Sequence, residues 1–293
     1  MKKGLTKPWE AYIFLTPWII GLLAFTIIPM IASLYFSFTR YDMFNSPTFI
    51  GLDNYRAMMT DRRLHNSLRV TFRFVAFTIP LQLMFALLIA AVFKKNRRGI
   101  RVYRAIYYLP SLLGGSVAVA LLWRQVFNME GLVNQLLSIF GIQGRNWIAS
   151  PDTALYTLMA LAVWQFGGSM VIFLAGLKNI SVEYDEAAKI DGANKFQLFR
   201  HITLPLLTPM IFFNMVMSTI GAFQSFNSAF LVSGGTGGPV DSTMFYSLFL
   251  FIRAFRQFEM GYASAMAWVM LVIIGTITAL IFLSGKLWVY YDE

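Results

Sequence analysis

Cysteine is absent from the 293 residues, which excludes disulfides and thiolate metal sites while leaving the compartment open. Charge is scarce as well: 13% of the chain, where soluble proteins carry about 25%. Histidine is limited to His65 and His201, each alone and without ligand partners at metal spacing, so no metal site is expected. Also missing is the alternation, over segments of about 10 residues, that a membrane barrel requires. What fills the chain is apolar: 57% hydrophobic residues and a mean hydropathy of +0.61. That excess is too large for an ordinary soluble domain.

The apolar residues are gathered into six runs, 11–36, 71–93, 106–127, 154–177, 205–232 and 263–285. Each reaches the about 20 residues that cross a bilayer as a helix. Backbone groups in lipid must bond within their own segment, so such runs are helical, with Pro17, Pro29 and Pro80 as kinks or at span ends. The expectation is an all-α integral membrane protein of six transmembrane helices, one transmembrane domain over 1–293. Lys2, Lys3 and Lys7 precede an apolar run too long for a signal core, and no small-residue cleavage site follows it, so it is read as a retained span.

Orientation follows from the basic loops. With the N-terminus inside, Lys94, Lys95, Arg97, Arg98, Arg101 and Arg104 share one short cytoplasmic loop, and Lys178, Lys189, Lys195 and Arg200 lie in another. Every lysine then falls inside, and six spans return the C-terminus, with Lys286, to the cytoplasm. The net charge of +10 is accounted for by these loops, and no nucleic-acid partner is expected. Outside lie residues 37–70, residues 128–153 and the helix-breaking Ser233-Gly234-Gly235-Thr236-Gly237-Gly238-Pro239. The run from Met244 to Ile252 is too short to span and is predicted to be interfacial or re-entrant.

The 178–204 loop is the most informative segment. Ser181 can cap a helix whose first turn carries Glu183, Asp185 and Glu186, the sign favoured by the helix dipole. Asp185 and Lys189, four apart, can pair on one face. Ala187 and Ala188 keep the surface shallow for an approaching protein. Gly192 permits a bend, Phe196, Phe199 and Ile202 form an apolar stripe, and Pro205 suits the first turn of the fifth span. On physics alone this could be an ordinary amphipathic connector.

Glu186-Ala187-Ala188, Gly192 and Ile202-Thr203-Leu204-Pro205 resemble, in order and spacing, the EAA loop of ATP-binding-cassette (ABC) importer permeases. Asp191-Gly192-Ala193, Phe199 and the run to Pro209 are similar to the carbohydrate-uptake branch. So are Gly51-Leu52-Asp53-Asn54-Tyr55, Asn66-Ser67-Leu68, Gly237-Gly238-Pro239 and Gly261-Tyr262-Ala263-Ser264-Ala265. The ending in Tyr290-Tyr291, without a glycine-rich tail, resembles the maltose-type "F" subunit. The resemblance implies a type I importer fold in a bacterial inner membrane. It also implies a second, non-identical permease, two ATPase subunits and an extracytoplasmic sugar-binding protein. Glu186, Ala187, Ala188, Asp191, Gly192, Ala193, Phe196, Phe199, Leu204 and Pro205 would then couple to an ATPase. No Gly-x-x-x-x-Gly-Lys-Ser/Thr loop is present, and Gly285-Lys286 lacks its upstream glycine and hydroxyl residue. ATP and magnesium are therefore expected on the partner ATPases, and this chain is not an enzyme.

Polar residues inside the membrane are functional candidates by default. The fifth run holds Asn214, Gln224, Ser225, Asn227 and Ser228 with Phe223 and Phe226, a mixture suited to sugar hydroxyls and ring faces. Phe223, Gln224 and Asn227 fall where the family resemblance implies the sugar site. Interhelical hydrogen bonding, worth about 0.6 kcal/mol per contact, is the competing reading. In the fourth run, Gln165, Gly168, Ser169 and Met170 are further candidates, although Gly167-Gly168 would equally serve close helix packing. Arg69, Arg73, Arg124, Arg253 and Arg256 cluster near outer span ends. They can snorkel to headgroups, meet a binding protein, or admit an acidic oligosaccharide, since guanidinium suits carboxylates. A lone ion-coupled carrier or channel is the rival reading, but it requires mid-membrane charges that spans four to six lack.

Overall fold

The computed structural model describes residues 8–95 and 98–290. Lys2, Lys3, Lys7, Arg97 and Tyr291, used in the orientation and resemblance arguments, lie outside the described residues. From the N-terminus come α1 (Pro8–Leu22) and α2 (Ile28–Ser37), joined by a π-turn over Leu23–Ile27. A ribbon of β1 (Thr39–Arg40) and β2 (Thr48–Phe49) precedes α3 (Asp53–Thr60) and α4 (Arg62–Phe93). Next are α5 (Ile100–Leu113), α6 (Val117–Val126), α7 (Leu132–Ile139), α8 (Pro151–Trp164), α9 (Gly167–Asn179) and α10 (Val182–Ile190). The chain closes with α11 (Lys195–Leu198), a π-turn at Phe199–Thr203, α12 (Leu204–Leu206), α13 (Thr208–Phe223), α14 (Asn227–Val232), α15 (Tyr246–Phe251) and α16 (Met260–Trp288).

Among the described residues, four helical runs are long and apolar enough to cross a membrane: Tyr12–Ser37, Arg62–Phe93, Pro151–Asn179 and Met260–Trp288. Two more reach that length as bent pairs, Ile100–Leu113 with Val117–Val126 at 101° and Lys195–Leu206 with Thr208–Phe223 at 61°. Counting each pair as one span gives six. The third and fifth predicted runs are therefore not straight rods. Gly114 and Gly115 end α5, and the Ser116 hydroxyl accepts from Val119 N (3.3 Å) to start a new helix. The fifth run stops at Phe223, well short of 232, and α14 begins after Gln224–Phe226. Serine side chains that compete for backbone groups explain the stop: Ser247 Oγ donates to Ser225 O, a carbonyl outside the helix ladder.

The chain forms two compact units. One holds residues up to Asp61 and Leu250–Val272. Its ribbon pairs Thr39 with Phe49 and Arg40 with Thr48. Asn54 Nδ2 donates to Ser37 O and Thr39 O, both at 2.9 Å, and Tyr55 OH donates to Ser37 Oγ at 2.8 Å. A Cβ on Gly261 would sit 2.1 Å from Thr39 O, so only glycine lets α16 begin against the ribbon. Two of the quoted family motifs thus meet in one clamp.

The other unit spans Arg62–Phe249 and the end of the chain from Ile273. There α4 packs against α8, α9 and α13, with a core of Ala86, Ala90, Phe93, Phe166, Met170, Phe173, Leu174, Leu177 and Leu207. The run predicted to be interfacial or re-entrant is largely interior: Met244, Tyr246, Leu248 and Phe249 are wholly buried. Tyr246 N donates to Thr71 Oγ1 (2.9 Å) on α4, which fixes the segment from its first residue.

Candidate functional site

Local hydrogen bonding builds the 178–206 segment. Ser181 Oγ accepts from Glu183 N at 3.3 Å, capping α10. At the other end Gly192 takes φ +78°, Gly192 N donates to Lys189 O (3.1 Å), and Ala193 N donates to Ala188 O (2.9 Å). This is the paired closure by which a left-handed glycine ends a helix. Asn194 then opens α11: its Oδ1 accepts from Phe196 N and Gln197 N, while Asn194 N donates to Gln197 Oε1 at 2.8 Å. The outcome is two short helices set around a glycine corner.

The surface of this segment is apolar and acidic together. Ile190 is 87% and Phe196 68% exposed, with Val182, Glu186, Ala187 and Asp191 also open. Ala188 is buried, Ala193, Phe199, Leu204 and Pro205 are half-buried, and Gly192 is exposed. The predicted Asp185–Lys189 pair is replaced: Asp185 lies 3.7 Å from Lys94 at the end of α4. Only Ile180 and Ser181 separate α10 from α9 in the chain, and α9 in turn is pressed onto α13. A Cβ on Gly176 would meet Met210 and Leu207 within 3 Å.

The second candidate is a cleft of about 290 Å³ lined by Gly114, Gly115, Leu161, Ala162, Gln165 and Gln224–Ser228. Three helix interruptions meet here: the α5–α6 bend, the step between α8 and α9, and the stop of α13. Gln165 is the midpoint of Pro151–Asn179, roughly 21 Å of helix from either end. Its Nε2 donates to Gly114 O at 3.3 Å, and Ser225 and Ser228 hydroxyls lie 3.1 Å apart. Irregular backbone at membrane depth is tolerated only when buried in protein or lining a cavity, and this one lines a cavity. None of its lining residues is charged. Amides, hydroxyls and the Phe226 ring, stacked on Phe230, can hold a neutral polyhydroxylated molecule.

The cleft unites Gln165, Gln224 and Asn227 but not the other predicted residues. Phe223 is 1% exposed, set edge-on to Phe72 at 5.2 Å, and Met170 is wholly buried in the core. Gly168 and Ser169 are half-buried one turn along α9 and do not line it. The paired glycines divide their roles. A Cβ on Gly167 would strike the Tyr108 backbone at 2.8 Å, whereas one on Gly168 would meet nothing. Asn214 is satisfied within its own helix, donating to Met210 O at 3.0 Å. Gly114 and Gly115 were missed; the Gly-Gly-Ser run in an apolar segment was the signal available.

Arg253, predicted to face lipid, a partner or the pathway, is bound inside its own unit. It contacts Asp61 at 2.5 Å and Glu259 at 2.7 Å and lies over the Tyr262 ring, whose hydroxyl also donates to Asp61 at 2.9 Å. Arg73 lines a cleft together with Asp152 and Tyr156. Arg124 lines another with Gln125, Asn128 and Asn146.

Residues 57–290 match the family described as "Binding-protein-dependent transport system inner membrane component". The chain is 55% identical over 284 residues to the probable ABC transporter permease protein YesP of Bacillus subtilis, covering 96% of this chain and 92% of YesP. It is 30% identical over 283 residues to the lactose transport system permease protein LacF of Rhizobium radiobacter, covering 94% of each. Among solved structures it is similar to a chain of a bacterial alginate ABC transporter in complex with an alginate pentasaccharide-bound periplasmic protein. That likeness has a TM-score of 0.82 and 20% identity, covering 95% of this chain and 94% of the other.

Proposed function

Because the chain belongs to the inner membrane components of binding-protein-dependent transport systems, we propose that it is a permease subunit of an ATP-driven sugar or oligosaccharide importer. The observation that carries this reading is the convergence of three broken helices on one uncharged polar cleft at mid-span. Discontinuous helices supply free backbone groups and placed amides where a polar solute must cross, which is how transporters build midplane sites. Sugar hydroxyls need both donors and acceptors, and amides provide both. The similarity to a lactose system permease supports a saccharide as the cargo.

In this reading the N-terminus is cytoplasmic, since that places the lysine-rich loops inside. The exposed α10 face, with Glu186, Ile190 and neighbouring Phe196, docks on one of two ATPase subunits that bind ATP and magnesium. A second, unlike permease completes the pathway, and an extracytoplasmic binding protein delivers the sugar. Closure of the ATPases on ATP draws α10 with it. The tight α9–α13 contact at Gly176 carries that motion to the helix breaks, opening the cleft outward.

The test is uptake by the reconstituted complex bearing Gln224→Ala and Asn227→Ala. Loss of a hydrogen-bond partner costs about 1–3 kcal/mol, so apparent sugar affinity should fall roughly 5- to 150-fold per site. ATPase stimulation by the loaded binding protein should persist. Unchanged uptake in the double variant would remove the cleft from the pathway.

A further inference from the structure

Helices α4 and α8 pack on one another and open two spans that are separated by the bent α5–α6 pair. With that pair counted as one span, α4 and α8 enter the membrane from the same side. Between them lies a cleft of about 600 Å³. On α4 its lining falls at Asn66, Val70, Arg73 and Phe77, one face of the helix and roughly 16 Å from first to last. On α8 it falls at Asp152, Leu155, Tyr156 and Met159, again one face.

Both faces change character in the same sense. After Arg73 no charge occurs on α4 up to Phe93, and after Asp152 none occurs until Lys178. The two charges therefore stand at one boundary of the hydrocarbon layer, where lipid headgroups lie, with Phe77 and Met159 deeper. Val70, Leu155 and Met159 form a buried apolar floor, while Arg73, Phe77, Asp152 and Tyr156 are open on the surface.

The third wall is the turn at Val240–Ser242, tied to the start of α4. Arg63 Nε and Nη2 donate to the Asp241 carboxylate at 2.9 and 3.0 Å, and Asn66 Nδ2 donates to Asp241 O at 3.0 Å. Ser242 lines the cleft from this fixed turn, and its Oγ is buried without a hydrogen-bond partner. Among the described residues, Arg73 and Asp152 form no ion pair with each other or with any other group, although they line one cleft. Two opposite charges held apart beside lipid leave room for a molecule that carries both signs.

We propose that this cleft is a binding site for a phospholipid whose headgroup bears a primary amine. Arg73 and the Ser242 hydroxyl donate to the phosphate, Asp152 accepts from the ammonium, and an acyl chain runs along Phe77 and Met159. Snorkelling of Arg73 to any phosphate would need neither Asp152 nor a buried hydroxyl. Asp152 in the first turn of α8 suits the helix dipole, but that role leaves Arg73 and Ser242 unexplained. A free polar solute would have no use for the apolar floor. The site is independent of the cargo and requires only that the chain span a membrane.

The test is native mass spectrometry of the complete permease–ATPase complex in detergent. It is titrated with phosphatidylethanolamine, phosphatidylcholine or phosphatidylglycerol of identical acyl chains. Phosphatidylethanolamine should bind at one site about fivefold more tightly than either rival. Choline offers no N–H to the carboxylate, and the glycerol headgroup offers no positive charge. Asp152→Asn should abolish that preference, and Arg73→Gln should weaken all three lipids about fivefold. Both side chains are exposed, so neither substitution should disturb folding. Ser242→Ala should weaken all three lipids without changing their order. No preference for phosphatidylethanolamine in the wild type, or one that survives Asp152→Asn, would overturn the proposal. A cleft covered by the second permease gives the first of these results. Free phosphoethanolamine competing as well as the whole lipid would also overturn it, because the site would then serve a soluble ligand.

Discussion

From Ser181 to Leu206 the turns are held by partners a few residues away, whereas the cleft at Gln165 takes its walls from three distant stretches of chain. The Ser181–Leu206 segment has a serine cap, a glycine closure at Gly192 and a reciprocal cap at Asn194 and Gln197, all local bonds. The cleft depends on Gln165 meeting Gly114 and on Ser247 reaching Ser225. A surface that must meet another protein in a set shape is well served by local bonds, which survive movement of the bundle. A site that must open and close is better built between elements that can separate. The two regions are therefore expected to respond differently to substitution.

The largest effect is expected at the docking surface. Glu186→Lys should leave membrane insertion intact, because the side chain is exposed, yet abolish binding-protein-stimulated ATP hydrolysis in the assembled complex. Normal stimulated hydrolysis would remove Glu186 from the ATPase contact. Next is the paired-glycine contrast beside the cleft. Gly167→Ala forces α9 off the Tyr108 backbone and should destabilise the complex by about 1–3 kcal/mol in thermal unfolding. Gly168→Ala should be nearly neutral, and equal losses at both would show that packing does not separate them.

A smaller effect, confined to transport, is expected from Gly114→Ala. The added methyl would sit 2.0 Å from Gln165 Cδ, so the flexible amide must swing out of the cleft. Apparent sugar affinity should drop roughly tenfold, as for Gln165→Ala. The double variant should be no worse than either single one, and additive losses would break the coupling. The mildest change is Asn194→Ala, which removes a cap worth about 1 kcal/mol. It should lower the protection of the Phe196 and Gln197 amides in hydrogen exchange while leaving Gln165 and its surroundings untouched.

How much was legible in the chain follows the same division. The cap at Ser181, the bend at Gly192 and helix α10 were readable, because each depends on residues adjacent in sequence. Gln165, Gln224 and Asn227 were identified as polar residues in apolar runs, but the stated reason for joining Gln224 and Asn227 was incomplete. They were placed on one face of a continuous helix, whereas the helix ends at Phe223 and the break itself turns both toward Gln165. Phe223 and Met170 face the core rather than the cleft, and an aromatic or a methionine beside a polar residue looks the same in sequence either way. Arg124 and Arg253 were indistinguishable in sequence. The carboxylates of Asp61 and Glu259 beside Arg253 make them different.

By itself the sequence determined that this is a helical membrane protein with a capped helix after Ser181. Transfer of apolar runs into lipid and bonding of a backbone to its near neighbours are properties of contiguous residues. Only the tertiary structure decided which polar residues face one another, where helices break, and that Arg253 meets two carboxylates. Those outcomes depend on side chains from separate helices competing for the same space and the same hydrogen bonds, and no local pattern records who the competitor will be.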